Sequence, residues 1–127
     1  MTSYYRFKAI SVNTGEKMQD CIFCKIAAGA FDTEFVHETE NVVVFRDLNP
    51  QAPEHLLVIP RKHYESLNET DDVNLLGEML FAVKKTTEKL GLKEYRAVIN
   101  TGKEAGQSVW HVHIHILSGR QMLWPPG

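Results

Sequence analysis

Three histidines lie at alternate positions near the C-terminal end of this 127-residue chain, in the stretch VWHVHIHILSGR. Successive side chains of a β-strand point to opposite faces, so His111, His113 and His115 would share one face and the apolar residues between them the other. Neutral imidazole is a common zinc ligand, and it also serves as nucleophile, acid or base near neutral pH. The spacing alone is compatible with either a metal site or a catalytic cluster.

A polar loop that contains two glycines, NTGKEAGQS, precedes this segment over residues 100–108. Gly102 and Gly106 permit unusual backbone angles and the close approach of a ligand. Gln107 and Ser108 add an amide and a hydroxyl, and a concave set of backbone N–H groups binds anions. Next to three histidines, this loop favours a site for phosphate or another oxyanion.

The two cysteines of the chain form a C-x-x-C pair, Cys21 and Cys24. Two cysteines cannot build the disulfide framework of a small secreted domain, so we expect a reducing compartment such as the cytoplasm. By itself the pair is a weak indication of function, because redox pairs of this spacing normally occur in a βαβ context.

The composition predicts a globular domain, with 43% hydrophobic and 24% charged residues. A formal net charge of −2 argues against nucleic acid or an anionic membrane as a partner, because both require a basic face. No apolar run approaches the roughly 18–20 residues of a membrane span, and the first residues lack the apolar stretch of a secretory leader. We predict one domain over residues 20–127 and a flexible tail over residues 1–19.

Apolar patterns and turn residues define the elements that must position these side chains. CIFCKIAAG predicts a short helix that ends at Gly29. FVHET, VVVFRDL, HLLVIP, YRAVIN and VWHVHIHIL predict five strands. The short connections between several of them favour an antiparallel sheet with helices packed on it, which is an α+β domain.

A long helix is predicted over residues 70–90 and should end at Gly91. Its apolar side chains recur at helical spacing and are expected to form one stripe against the sheet. The stripe consists of Val73, Leu76, Leu80, Val83 and Leu90.

Several of these motifs together resemble the histidine triad (HIT) family. GQSVWHVHIHIL matches its pattern of three histidines alternating with apolar residues. IFCKI, FRDLNPQAPEHLLVIPRKH, GRQM and the terminal WPPG resemble the Hint branch, the nucleoside phosphoramidases. The resemblance covers roughly residues 20–127. It implies an α+β homodimer whose two sheets join into one ten-stranded sheet.

The resemblance also implies a reaction. The middle histidine, His113, would attack the α-phosphorus of a purine nucleoside phosphoramidate such as AMP-NH₂ or AMP-lysine. A covalent nucleotidyl-histidine intermediate would then be hydrolysed to the nucleoside monophosphate, with no metal or other cofactor in the reacting centre. His55, His111 and His115 would support His113. Ser108 would help to protonate the departing amine.

Further positions are assigned to nucleotide binding by the same resemblance. Asp47 would bond the ribose hydroxyls, and Asn100 would lie near the phosphate and ribose. Gly106 and Gln107 would hold phosphate oxygens, together with Ser108, His113 and His115. Trp124 would reach the site of the partner subunit. An apolar slot for the purine would be formed by Ile22, Phe23, Ile26, Phe31, Phe45 and Leu48.

HIT relatives that carry the cysteine pair often bind a structural zinc ion. The corresponding ligands here would be Cys21, Cys24, His63 and His111, a set suited to tetrahedral zinc. His111 would then belong either to the nucleophile's support or to the metal. The alternatives to a phosphoramidase are a nucleotide-binding interaction protein, a dinucleoside polyphosphate hydrolase or nucleotidyl transferase, and a metalloenzyme that uses all three triad histidines. The expected location is the cytoplasm or the nucleus.

Overall fold

The fold was analysed in a computed structural model that describes residues 20–127. The tail predicted over residues 1–19 lies outside the described residues. The elements in chain order are α1 (Ile22–Ala27), β1 (His37–Glu38), β2 (Val42–Arg46), β3 (Glu54–Pro60), α2 (Val73–Leu90), β4 (Arg96–Val98) and β5 (Ile114–Ser118). The prediction of an α+β domain with one short and one long helix is confirmed.

All five strands form one antiparallel sheet in the order β1-β2-β3-β5-β4. β3 lies at the centre of the sheet. Its Ile59 is opposite Val43 of β2, and its Leu57 is opposite His115 of β5. The chain reaches this arrangement by placing α2 and β4 between β3 and β5 in sequence. His55 on β3 and His115 on β5 therefore lie on neighbouring strands.

Both faces of the central sheet are covered. One face carries α2 over a core that includes Val44, Val58 and Met79, and the other carries α1 over Phe45 and Leu57. A strand that is buried on both faces is apolar at nearly every position, which explains the runs VVVF and LLVIP. Successive residues of the C-terminal segment alternate between these two faces.

The apolar residues of that segment lie on the face of α2, because Val112, Ile114 and Ile116 all belong to its core. The three histidines consequently lie on the opposite face, below α1. The segment is not a strand throughout, since regular pairing begins only at Ile114. β1 and β4 are likewise shorter than predicted, with two and three residues.

The long helix begins and ends close to the predicted bounds. The Asp72 carboxylate accepts a hydrogen bond from the Leu75 N–H, which caps the first turn. Gly91 ends the helix with φ = 72°, in the left-handed region that glycine adopts without strain. No helix among residues 20–127 has both the length and the apolar character needed to cross a membrane.

The predicted apolar stripe of α2 was wrong in its orientation. Val73 is 78% exposed and Leu80 58% exposed, whereas Leu76 and Leu90 pack only at the edge of the core and Val83 inside it. The buried face consists of Leu75, Met79, Ala82, Val83, Thr86 and Thr87. With 3.6 residues per turn, its centre lies about 70° from that of the predicted stripe. The helix carries a broad apolar arc, and spacing alone cannot show which part of it meets the sheet.

Candidate functional site

The three triad histidines form a row below α1. His111 is fully buried, His113 is 5% exposed, and His115 is half-buried. The Phe23 ring of α1 meets the His113 ring edge-on at 5.1 Å between centroids, and the His113 and His115 rings are 4.9 Å apart. The imidazoles thus share one face, as the alternation predicts.

The hydrogen bond of His113 fixes its tautomer. Its Nδ1 lies 2.7 Å from the backbone oxygen of His111. A carbonyl oxygen only accepts, so Nδ1 carries the proton and Nε2 keeps its lone pair. Burial lowers the pKa of His113, although the bond to the His111 carbonyl opposes this effect. At neutral pH the ring is therefore a neutral imidazole with a nucleophilic Nε2.

His55 and His115 form a hydrogen-bonded pair in which the direction of the bond is also determined. The Gln51 N–H donates to Nδ1 of His55 at 3.0 Å, so neutral His55 carries its proton on Nε2. That proton is donated to Nδ1 of His115, 2.9 Å away. His115 in turn carries its own proton on Nε2, where it can serve as a hydrogen-bond donor.

Both members of this pair are neutral at physiological pH. Burial lowers the pKa of His55, against the attraction of Asp47. Burial, followed by the charges of His113 and His55, lowers the pKa of His115 to about 4. A neutral pair is what the hydrogen-bond directions require, because a protonated His55 would have a donor at Nδ1 facing the Gln51 N–H.

Asp47, predicted to bind ribose, lies at the end of this pair. Its Oδ1 accepts a hydrogen bond from the Asn49 N–H at 2.7 Å, and its Oδ2 is 3.5 Å from Nε2 of His55. The ligand atoms of Asp47, His55 and His115 lie within 4.8 Å of one another, close enough for a metal ion. A metal on Nε2 of His55 would require the proton to move to Nδ1, against the Gln51 N–H. This cluster therefore fits a hydrogen-bonded relay better than a metal site.

A second cluster contains the four residues predicted to bind zinc, and their ligand atoms also lie within 4.8 Å of one another. Nδ1 of His111 is 3.3 Å from Sγ of Cys21 and 3.5 Å from Sγ of Cys24. Nδ1 of His63 is 3.2 Å from Sγ of Cys24. Zinc bonds of about 2.0–2.3 Å in a tetrahedron place ligand atoms about 3.3–3.8 Å apart. These separations are those of a compact four-ligand centre.

The tautomer of His111 supports the same assignment. Its Nε2 donates to the Pro60 carbonyl at 2.8 Å, which leaves the Nδ1 lone pair directed at the sulfurs. The two thiols compete for protons, so hydrogen bonding to Cys24 lowers the pKa of Cys21, and hydrogen bonding to Cys21 raises that of Cys24. A lowered thiol pKa favours the thiolate that zinc binds. Two sulfurs and two imidazoles whose Nδ1 atoms face those sulfurs fit zinc.

The loop before the triad has the predicted glycine geometry, with φ = 93° at Gly102 and 99° at Gly106. Gln107, in contrast, is buried and engaged within the protein. Its side-chain amide donates to the carbonyls of Glu65 at 2.7 Å and Val109 at 3.1 Å, and its oxygen accepts from the Gly102 N–H. A phosphate contact from this side chain would require one of those bonds to break, so in this structure Gln107 braces the loop.

Ser108 is exposed at the end of the loop and lines a cavity of about 640 Å³. Cys21, Ile22, His63 and Trp110 also line this cavity, whereas His113 does not. The cavity therefore lies beside the cysteine cluster rather than over the triad. The side-chain amide of Asn100, at the start of the loop, lies 3.6 Å from the position that a Cβ at Gly106 would occupy.

The predicted purine slot divides into buried and exposed residues. Phe23, Ile26 and Phe45 belong to the core below α1, where the rings of Phe23 and Phe45 meet edge-on at 5.7 Å. Three others are exposed and can offer an apolar surface to a ligand, namely Ile22 at 44%, Phe31 at 54% and Leu48 at 98%. Packing thus accounts for the buried part of the set.

Trp124 is 81% exposed, and the Arg96 guanidinium lies 6.0 Å from its ring centroid. The same arginine donates to the Leu123 carbonyl at 3.0 Å, so the C-terminal segment packs against β4. The structure also shows contributors that sequence reasoning missed, above all the N–H of Gln51 and the carbonyl of Pro60. Both act through the backbone, and residue identity gives no indication of such roles.

Comparisons with known proteins agree with this geometry. The HIT domain family model matches residues 28–122. A HIT-like protein of Synechococcus elongatus is 46% identical over 112 residues, which cover 86% of this chain and 98% of that protein. The crystal structure of a HIT family hydrolase from Legionella pneumophila aligns with a TM-score of 0.80 and 48% identity, covering 85% of this chain and 100% of the other. A histidine triad protein from Clostridium difficile aligns with a TM-score of 0.78 and 40% identity, covering 82% and 94%. With this fold and this row of histidines, the chain belongs to the HIT family.

Proposed function

We propose that the protein is a hydrolase that cleaves the P–N bond of purine nucleoside phosphoramidates through a covalent intermediate on His113. The observation that carries the proposal is the tautomer of His113, whose Nδ1–H is held by the His111 carbonyl at 2.7 Å while Nε2 keeps its lone pair. Resemblance to the Hint branch supplies the reaction class. Similar proteins of Legionella pneumophila and Clostridium thermocellum are named HIT family hydrolases.

The proposed reaction has two steps. Nε2 of His113 forms a bond to the α-phosphorus while the P–N bond breaks, and the departing amine takes up a proton with the help of the Ser108 hydroxyl. Water then attacks the same phosphorus and the bond to Nε2 breaks. The nucleoside monophosphate and one proton are released, and the neutral His113 is restored.

The neighbouring groups have complementary roles in the proposal. His115 is held neutral with its proton on Nε2, so it donates a hydrogen bond to a phosphate oxygen and neither attacks nor ionises. Oδ2 of Asp47 is available to the ribose hydroxyls, while Oδ1 is bonded to Asn49. The exposed Ile22 and Leu48 provide the apolar surface for the base.

The metal belongs to the structure of this proposed enzyme and takes no part in the reaction. Cys21, Cys24, His63 and His111 would hold a zinc ion that ties the start of α1 to the segment before β5. His111 would then contribute its side chain to the metal and its carbonyl to His113. A reduced cysteine pair is required, which agrees with the expected cytoplasmic location.

The homodimer is part of the same proposal. β4 is an edge of the sheet, and an unpaired edge is a template for a further strand. The other edge strand, β1, pairs over two residues only. Joining two copies at β4 would give the continuous ten-stranded sheet, and the exposed Trp124 beside β4 would lie near the partner subunit.

A panel of substrates tests the proposal. AMP-NH₂, AMP-lysine and a dinucleoside polyphosphate would be compared for AMP release by the wild-type protein, by His113→Ala and by His37→Ala. His37 lies on β1 and serves as the matched histidine control. We expect both phosphoramidates to be cleaved by the wild-type protein and the control, and His113→Ala to lose at least about 1,000-fold in kcat.

Two outcomes would contradict the phosphoramidase assignment. Preferential cleavage of the polyphosphate would favour the related hydrolase. Equal activity of the wild-type protein and His113→Ala, with nucleotide binding retained in calorimetry, would favour an interaction protein. Activity that survives complete metal removal would exclude a catalytic ion.

A further inference from the structure

Two independent contacts join the segment after β5 to the loop that precedes β3. Gly119 has φ = 100°, and a Cβ placed there would come within 2.8 Å of Cβ of Pro53. Arg120, the next residue, donates from Nε to the backbone oxygen of Gln51 at 3.0 Å. Gly119 and Arg120, which follow β5, therefore contact the loop over residues 47–53 and fix its position.

Gln51 is the residue whose N–H sets the tautomer of His55. The backbone oxygen of Gln51 accepts a hydrogen bond from Arg120, and the backbone N–H of Gln51 donates one to Nδ1 of His55 at 3.0 Å. Pro50 and Pro53, which flank Gln51 and Ala52, carry no N–H and cannot replace the Gln51 N–H as donor. The Gln51 side chain binds the Asn49 carbonyl within the loop, so it does not anchor the loop elsewhere.

We infer that Arg120 is a positioning residue for the histidine relay: by fixing the Gln51 carbonyl, it aims the Gln51 N–H at His55 and so holds the donor proton of His115 toward the substrate phosphate. The inference rests on the proposed function for its catalytic consequence. The effect on tautomer is independent of that function. Arg120 also donates from Nη1 to the Gln121 carbonyl at 3.2 Å, which stiffens its own segment.

The chain of donors has one direction. Arg120 donates to Gln51, Gln51 to His55, and His55 to His115. If the Gln51 N–H is no longer aimed at Nδ1, His55 can carry its proton on either nitrogen. In the tautomer that carries the proton on Nδ1, His55 would offer His115 a lone pair at Nε2. His115 would then carry its own proton on Nδ1 and would lack the Nε2–H.

The experiment compares Arg120→Met, Arg120→Lys and the control Lys89→Met. Lys89 makes the same kind of bond, from a side-chain cation to the Val36 carbonyl at 2.7 Å. This bond joins α2 to the residue before β1 and involves neither His55 nor His115. Long-range ¹H–¹⁵N spectra of the imidazoles report the tautomer of His55 directly. Steady-state kinetics with AMP-NH₂ report kcat and KM.

We expect Arg120→Met to lose the single tautomer of His55 and to lower kcat about fivefold to tenfold, the factor associated with one net hydrogen bond, with little change in KM. Arg120→Lys should recover most of this loss, and Lys89→Met should change neither quantity. Retention of one His55 tautomer in Arg120→Met would overturn the inference, as would an equal loss of kcat in Lys89→Met. Should the wild-type protein lack phosphoramidase activity, the proposed function fails, while the spectra still decide the role of Arg120.

Discussion

Acidification should destabilise this protein through His115. This imidazole is half-buried between His55 and His113, and burial together with their charges lowers its pKa to about 4 from an ordinary 6.5. The unfolded chain regains the ordinary value and binds a proton that the folded protein rejects. Stability is therefore complete above about pH 7, falls as the pH drops below 6.5, and reaches its lower level near pH 4.

The magnitude follows from the interval between the two pKa values. At about 1.4 kcal/mol for each tenfold change, the total contribution of His115 is about 3 kcal/mol. Between about pH 7.5 and pH 5.5 the loss is about 1.3 kcal/mol, because most of the unfolded chains and few of the folded ones are protonated there. His55 and His113 shift in the same direction, so they add to the loss.

Urea unfolding at the two pH values measures this loss in the wild-type protein and in His115→Gln. We expect the variant to lose at least about 1 kcal/mol less stability than the wild type on acidification. Any effect of pH on the cysteine cluster is common to both proteins and cancels in the difference. His37→Gln removes a histidine from β1 and should behave as the wild type does. Parallel pH profiles for the wild type and His115→Gln would refute the assignment of a buried neutral imidazole.

Two further predictions concern the core and the cysteine cluster. Met79 is 1% exposed between α2 and the sheet, so Met79→Ala should lower the free energy of unfolding by about 2–5 kcal/mol in urea titration. Val73→Ala, on the exposed side of the same helix, should lower it by less than about 1 kcal/mol. Similar losses for the two variants would contradict the observed orientation of α2. The purified protein should bind one zinc ion per chain, and Cys21→Ser should weaken zinc binding by more than about 100-fold, beyond the effect of losing an outer contact. Unchanged zinc affinity of Cys21→Ser in a competition titration with a chelator would show that the four ligand atoms do not act together.

Much of the sheet could be predicted from the sequence because polar residues and prolines mark the ends of its strands. β3 begins directly after Pro53 and ends at Pro60, and its residues from Leu56 onward are apolar and buried. The faces of α2 could not be assigned in the same way. Both Val73 and Leu75 are apolar, and only the position of the sheet decides that the first is exposed and the second is buried.

The cysteine cluster brings together residues that lie far apart in the chain. Cys21 and His111 are separated by 90 positions, and their approach depends on how α1 packs on the sheet. The resemblance to a family could name these four residues, but the pattern in the chain could not. Backbone groups such as the Gln51 N–H are invisible to any such pattern, because every residue except proline carries one.

The start of β5 explains why three equivalent positions in sequence become three different groups in the structure. The His111 carbonyl accepts a hydrogen bond from Nδ1–H of His113, so it is not available to a neighbouring strand, and regular pairing begins only at Ile114. The irregular segment lets the His111 side chain turn into the cysteine cluster while its carbonyl orients the His113 ring. His115, already within the ladder opposite Leu57, is oriented across the sheet by His55 on β3 instead. Each ring thus has one nitrogen fixed by a different partner. This difference gives the three histidines the three separate roles that we propose for them, namely metal ligand, nucleophile and hydrogen-bond donor.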